Sequence, residues 1–600
     1  MSTYHPPLPE IRFVLNELAG LEQVSKLPGY EDAAPDTVSA ILDEAAKFAT
    51  DVLDPLNWPG DQEGAQWQEG GIVRTPKGFK EAYAQYCANG WNGLTKNPEH
   101  GGQGLPQLVA TAVEEMWHAS NLSFDLCPLL TQGAIEAIEL RGSEELKRRF
   151  LPKMVSGEWT GTMNLTEPQA GSDLAAVRTR AVPQGDGTYK LYGNKIFITF
   201  GEHDYTDNII HLVLARTPDA PEGVKGISLF VVPKVLVNAD GTLGARNDVQ
   251  CVSIEHKLGI HASPTCVMAY GDKTGAVGYL VGEENRGLEY MFIMMNLARF
   301  SVGMEGVGIS DRAYQRAVAY ARERVQGKAV GLEKSAKAGA IIEHPDIRRM
   351  LMTMRAYTEA ARAVAYVTAA ALDNARVNPD ADARRKAQAF ADFMIPIVKG
   401  WSTEIAQEVT YLGVQVHGGM GFIEETGAAQ HYRDARIITI YEGTTGIQAN
   451  DLIGRKTARD TGTVARAIAA EVDKVAAKLA ARREPSLQAI GVQLASATAD
   501  LQAAIDWLVP AYGQQPRAAH AVAVAYLKLW GVVAGGWQMG RAALSASEKL
   551  AAGEGDPHFL HAKIATARFY ADFILPQTSG FEHTITHGAE SALALDVEAF

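Results

Sequence analysis

Glu442 lies in the stretch HYRDARIITIYEGTTGIQAN, residues 431 to 450, between Tyr441 and Gly443. Upstream, Ile437, Ile438 and Ile440 close an apolar segment. Downstream, Gly443-Thr444-Thr445-Gly446 makes a tight loop, and Ile447-Gln448 opens another helix. A carboxylate in such a loop has few neighbours to compensate its charge. Desolvation raises its pKa and turns a surface ion into a usable general base. The same residue serves equally well as a capping or loop acid, the commoner role for loop carboxylates. The stretch alone leaves both readings open.

Other stretches carry polar atoms or open backbone. In MNLTEPQAGSD, residues 163 to 173, Thr166, Ser172 and the backbone of Gly171 suit a polar ring edge or a phosphate; a helix-capping turn would use the same residues. KIFITFG, residues 195 to 201, places Phe197 and Thr199 on one strand face and Ile198 on the other, as core packing also would. Gly418 and Gly419 in VQVHGGMGF allow close backbone approach or a helix C-cap. GMEGVGIS, residues 303 to 310, lies in a helical run with no strand before it and is not a dinucleotide fingerprint. MFIMM, residues 291 to 295, reads as core. His417 reads as a hydrogen-bonded turn residue, and no metal-ligand spacing accompanies it, so no metal site is expected.

The elements that must position these residues follow from periodicity. Residues 1–35 read as an extension with one short amphipathic helix, Ile11 to Leu21, and a Pro/Gly-rich linker. Residues 36–158 show helical three- and four-residue spacing, as in DTVSAILDEAAKFATDVL. From 159 to 281 short alternating or β-branched runs are separated by turn signals at Asp186-Gly187 and Asp240-Gly241, which argues for a compact antiparallel sandwich or barrel. Helical period returns over 282–455, and 456–600 is an alanine-rich helical segment long enough to form a domain. The fold class expected is therefore multidomain α+β: a helical N-terminal domain, a central antiparallel β-barrel or sandwich, a helical bundle and an extra C-terminal helical domain. Clefts at such junctions suit cofactors and ligands.

Six hundred residues with 46% hydrophobic content suffice for several cores. A net charge of −14 disfavours nucleic acid and anionic membrane surfaces as partners. Cys87, Cys127, Cys251 and Cys266 are scattered, without a CxxC pair, which fits a reducing compartment. The start, MSTYHPPLPEIRF, lacks the order of a signal peptide. Ala518 to Met539 contains His520, Lys528 and several glycines and reads as a buried helix, not a membrane span. A cytoplasmic location is expected.

TEPQAGSD, KIFIT, ARER before VQGK, QVHGGMGF and IYEGTTGIQ, in this order across residues 166 to 448, together resemble the acyl-CoA dehydrogenase family. The resemblance covers roughly residues 36 to 455. The layout, with HPDIRRML at 344 to 351 and the C-terminal extension, resembles the subgroup of about 600 residues that includes broad-range bacterial fatty acyl-CoA dehydrogenases and 3-(methylthio)propanoyl-CoA dehydrogenases.

The resemblance implies FAD as cofactor and an acyl-CoA as substrate. Met163, Leu165, Thr166, Gly171 and Ser172 would line the flavin, and Ser172 would also begin the substrate site. Phe197 and Thr199 would lie beside the isoalloxazine ring. Arg324 would reach the FAD pyrophosphate of a neighbouring subunit, and Gln415, Val416, Gly418 and Gly419 would meet that FAD's adenosine half, which implies a homodimer. Thr444 and Gln448 would contact FAD after the catalytic loop. Met295, Asn296, Arg299, Tyr441 and Gly443 would face substrate. Glu442 would be the base; some relatives carry it on the helix before Arg299, but that position is Ala298 here. The backbone N–H of Glu442 would help hold the thioester carbonyl, and electrons would pass to electron-transfer flavoprotein. O₂-using oxidases and flavin monooxygenases share the fold and remain alternatives, as does a long-chain acyl-CoA dehydrogenase. The acyl pocket is expected between Leu122–Ala137, the Met163–Thr166 turn and the helix of Met295 and Arg299, lined by Phe124, Leu126, Leu129, Leu130, Phe292 and Met295. Such a lining points to unbranched short- to medium-chain esters, including 3-(methylthio)propanoyl-CoA.

Overall fold

The computed structural model describes residues 2–331 and 337–600. Its internal packing divides the chain into two compact units that do not follow sequence order. One comprises Met1–Ala46, Pro106–Ala119 and Val302–Phe600; the other comprises Lys47–Leu105 and Ser120–Ser301.

The first unit is helical. Pro345 and Asp380 begin its two longest hairpin helices, Pro345–Val377 and Ala381–His417. Proline at the first helical position loses no hydrogen bond there, and the Asp380 side chain accepts from the Asp382 N–H. Small residues let further helices approach. A Cβ at Gly531, on helix Ala523–Ala552, would overlap the fully buried Trp401 ring, and one at Gly400 would meet Leu527. The segment Ala518 to Met539 is helical but broken at Val522, between the helices Pro516–Ala521 and Ala523–Ala552; His520, Ala521 and Val524 are exposed, and burial is extensive only from Tyr526 on. The N-terminal extension is packed down rather than loose. Tyr4 is fully buried, and Glu10 shares the buried Lys563 ammonium with Glu359, each at 2.7 Å. Its helix starts at Leu8 and relaxes into a π-turn over Val14–Ala19.

The second unit holds an eight-stranded sheet. Its path runs from Val249–Ile254 through Thr265–Tyr270, Tyr189–Thr199, Ala276–Leu280, Ser228–Pro233 and Asn208–Ala215 to Trp159–Asn164, with Arg180–Pro183 paired to Tyr189–Thr199. The sheet is an open path, not a closed barrel, and it is not wholly antiparallel: Trp159–Asn164 runs parallel to Asn208–Ala215. A parallel pair needs a long crossover, and the chain between these strands supplies it by building other strands of the same sheet. Two apolar clusters cover the strands. One gathers Leu130, Ala134, Trp159, Leu229, Met291 and Met294; the other gathers Ile198, Phe230, Cys266 and Met268. A small hairpin, Gln66–Gln68 with Ile72–Arg74, interrupts the first helical stretch; its strands are too short to register as periodicity.

Candidate active site

Glu442 sits after the 3₁₀ turn Arg436–Thr439 and before the helix Thr445–Asp451. Thr444 caps that helix by accepting the Ile447 N–H at 3.2 Å. Glu442 takes φ 58 and Gly443 φ 91. Left-handed backbone at a residue with a Cβ costs about 1–2 kcal/mol and persists only where the surroundings impose it. Three buried side chains, Gln448, Lys399 and Glu305, do so here. Gln448 donates to the Glu442 carbonyl at 3.2 Å, the Lys399 ammonium donates to the Gly443 carbonyl at 2.7 Å, and the Tyr441 hydroxyl donates to Glu305. Burial, and then the charge of Glu305 and Glu442, raises the Tyr441 pKa well above its ordinary value, so the phenol stays a donor. The Gln448 Oε1 is buried and has no hydrogen-bond partner among the described residues.

A second place lies further along the same unit. Arg324, exposed, follows helix Gly287–Glu323, and Gln415, Gly418 and Gly419, also exposed, lie at the end of Ala381–His417. The Tyr320 ring stacks on His417, centroids 4.3 Å apart, and so brings these two helix ends together. His417 is buried and bonded through Nδ1 to the Gly413 carbonyl at 2.7 Å; burial lowers its pKa and keeps it neutral. The Val416 side chain is buried. A Cβ at Gly418 or Gly419 would meet nothing within 4 Å, but Gly418 caps the helix with φ 59, a conformation that favours glycine. About 24 Å of helix separates Lys399 from Gln415, at roughly 1.5 Å rise per residue. The Glu442 loop and the HGGMG turn are therefore distinct places.

In the second unit, Met163, Leu165 and Thr166 come at the end of strand Trp159–Asn164, and the turn after them is pinned by Glu167. Its buried carboxylate accepts from Lys195 Nζ at 2.8 Å, from Thr179 Oγ1 at 2.6 Å and from the N–H groups of Arg178 and Thr179 at 2.8 and 3.0 Å. Burial alone would push Glu167 up, but Lys195 and these donors hold it down to about 2. Burial lowers Lys195 to about 8, against the pull of Glu167. The pair is ionised at neutral pH. Lys195 also donates to the Leu165 carbonyl at 3.0 Å, and the Ile196 N–H to that of Thr166 at 2.9 Å. This fastens the Met163–Ser172 stretch to the KIFIT strand.

Pairing against Thr265–Tyr270 shifts register between Cys266 and Met268. At this bulge Phe197 takes φ 59 and turns outward, 59% exposed, while Ile198 is buried. Ser172 and Gly171 are exposed. Arg299 is buried, its guanidinium 5.9 Å from the Phe292 ring centre, and Nη1 lies 3.4 Å from Asn296 Oδ1. Met163, Leu129 and Met295 are half-buried around the cluster of Leu130 and Met294. Phe124 is fully buried among Phe79, Tyr83, Tyr86 and Tyr205, with centroids 6.1 to 6.5 Å away. Leu126 is buried as well. Among the described residues no cluster of three His, Cys, Asp or Glu side chains could hold a metal, and no helix is long and apolar enough to cross a membrane. Glu167, Lys195, Glu305 and Lys399 escape motif reading because their partners are distant in sequence.

Four family profiles match the chain in series. These are the acyl-CoA dehydrogenase N-terminal domain over residues 35–158, its middle domain over 162–272, its C-terminal domain over 285–456, and the "acetyl-CoA dehydrogenase C-terminal like" domain over 468–596. The chain belongs to the acyl-CoA dehydrogenase family. It is 52% identical over 592 residues to the 3-methylmercaptopropionyl-CoA dehydrogenase of Ruegeria pomeroyi, covering 98% of this chain and 99% of that one. It is 36% identical over 614 residues to a butyryl-CoA dehydrogenase of Syntrophomonas wolfei, covering 98% of each. The solved acyl-CoA dehydrogenase of Bacillus anthracis, complexed with FAD, shares the fold at TM-score 0.72 and 21% identity, over 96% of this chain and 91% of that one.

Proposed function

We propose that this chain is an FAD-dependent dehydrogenase of saturated, unbranched short-chain acyl-CoA thioesters, with 3-(methylthio)propanoyl-CoA as its principal substrate. The observation that carries the reading is the Glu442 loop, a carboxylate held in a costly left-handed conformation by buried partners, within a chain 52% identical to the Ruegeria pomeroyi enzyme.

Glu442 takes the α-proton of the thioester on its carboxylate. Its backbone N–H steadies the carbonyl oxygen as charge develops there; one such donor in a dry site contributes about 3 kcal/mol. FAD, when bound, would supply the hydride acceptor for the β-hydrogen, which would leave the trans-2-enoyl-CoA as product. Each unit by itself offers groups that suit that cofactor. Phe197 offers an exposed aromatic face, Gly171, Gly418 and Gly419 offer open backbone, and Gln448 Oε1 is a buried acceptor awaiting a donor. Thr166 and Ser172 sit on the turn that Glu167 fixes, and Thr199 ends the Phe197 strand.

Arg324 and the Gln415–Gly419 segment, about 24 Å of helix away from the Lys399 contact, serve the FAD of a second copy in a homodimer. The five sequence divisions, 1–35, 36–158, 159–281, 282–455 and 456–600, are the domains we propose, and the family profiles break near the same points. Four free cysteines fit a reducing cytoplasm, and electron-transfer flavoprotein is the proposed acceptor.

The test is kcat/KM for 3-(methylthio)propanoyl-CoA and for C4 to C16 esters, measured anaerobically with an artificial acceptor and again with O₂ alone. Highest values for the methylthio ester and C4 to C6 support the proposal. An optimum at C14 or beyond, or turnover sustained by O₂, would overturn it.

A further inference from the structure

The proposed chemistry uses Glu442 but gives no part in catalysis to two buried side chains that hold its loop. Glu305, on helix Gly287–Glu323, is fully buried and accepts the hydroxyl of Tyr441, the residue before the base. Lys399, on helix Ala381–His417, is also fully buried and donates at 2.7 Å to the carbonyl of Gly443, the residue after it. A different helix thus grips the loop on each side of Glu442. Gln448 holds the Glu442 carbonyl itself at 3.2 Å and approaches that of Gly443 at 3.4 Å.

Charge this deeply buried is a poor way to gain stability, because apolar residues of the same volume often serve as well or better. Its use at this loop calls for another account. A base must be held within about 0.5 Å of its productive place, and Glu442 sits on backbone that relaxes readily: φ 58 at a residue with a Cβ, followed by φ 91 at a glycine. Freed of its anchors, the loop would swing the carboxylate off line.

We propose that Glu305 and Lys399 are positioning residues that clamp the Tyr441-Glu442-Gly443 loop and so aim the Glu442 carboxylate. Glu305 acts through the Tyr441 hydroxyl and Lys399 through the Gly443 carbonyl. The inference rests on Glu442 being the base.

The experiment is steady-state kinetics on FAD-loaded holoenzyme with butanoyl-CoA, alongside flavin content from the visible spectrum. Glu305→Ala and Lys399→Met are expected to lower kcat about 10- to 100-fold, with KM and flavin content within about two-fold of the unaltered enzyme. Glu305→Gln keeps an acceptor oxygen for Tyr441 and should recover most of the loss. Glu305→Ala combined with Tyr441→Phe should be no slower than the slower single variant, since both cut one link. Should Lys399→Met fail to fold, the Glu305 series decides alone. Unchanged kcat in Glu305→Ala, a loss confined to KM or flavin content, or failure of Glu305→Gln to rescue would overturn the clamp. Glu442→Gln separates the two readings. If it is inactive while Glu305→Ala is fully active, only the clamp falls. If Glu442→Gln is itself active, the base assignment falls and the clamp goes with it.

Discussion

Lys195 holds Glu167 at 2.8 Å in the interior of the sheet unit, and with that contact it fixes the turn bearing Thr166 and Ser172 to the strand bearing Phe197. The two stretches are read separately in the sequence, yet one ion pair makes them a single surface. Glu167 is held at about 2, below the usual carboxylate value near 4.3. A depressed carboxylate contributes stability above its unfolded pKa and loses it as the pH falls through the folded one. The contribution should be whole above about pH 4.5 and fade towards pH 2. Glu167→Gln should therefore lower stability at pH 7 and lose its deficit in acid. Urea unfolding followed by tryptophan fluorescence at pH 7, 4 and 3 checks this; a constant deficit across that range would contradict it.

Glu442→Gln preserves shape and removes the proton acceptor. Turnover should fall by about 10²–10⁴, with flavin content unchanged. Stopped-flow bleaching of the flavin by substrate is the measurement, and a loss under ten-fold would move the base elsewhere.

Phe197 stands outward at a bulge, with backbone that suits glycine better than phenylalanine. Such strain at an exposed aromatic makes sense if a flat ligand covers it. Phe197→Ala should weaken FAD binding about ten-fold while apo-protein stability stays within about 0.5 kcal/mol. Titration of apo-protein with FAD by fluorescence quenching tests this; unchanged affinity would leave the bulge unexplained.

Lys563 lies between Glu10 and Glu359, all three buried, and Glu359 also takes Arg355 at 2.6 Å. Removing the shared cation takes the hydrogen-bonded partner from Glu10 and leaves Glu359 with Arg355; breaking a buried pair in this way typically costs about 3–5 kcal/mol. Lys563→Met should lower the apparent melting temperature, and adding Glu10→Gln should restore part of it. Calorimetry of the single and double variants is the check, and a double variant worse than the single would refute this arrangement.

Local signals made much of this legible. The Glu442 loop shows as glycines between apolar segments, the Phe197 strand as alternation, and the C-terminal helices as amphipathic period. What stayed hidden depends on partners far along the chain: Glu167 and Lys195 are 28 residues apart, Lys399 and Gly443 are 44, and Tyr441 and Glu305 are 136. No window of periodicity spans such gaps. The parallel strand pair escaped for a related reason, because alternation reveals a strand but not its neighbour's direction. The neighbours of Phe124 were hidden too, because helical spacing gives a residue's face and not what that face meets; here it meets an aromatic cluster.

The left-handed backbone at Glu442 also makes the native residue the wrong one for folding. Glycine, or asparagine at some cost, would sit there more comfortably. Glu442→Gly should therefore give a protein that melts higher and turns nothing over, a scaffold on which intact thioester can be captured and seen. Screens that select for heat resistance alone should drift towards that silent form, so any attempt to toughen this protein must score turnover in the same round.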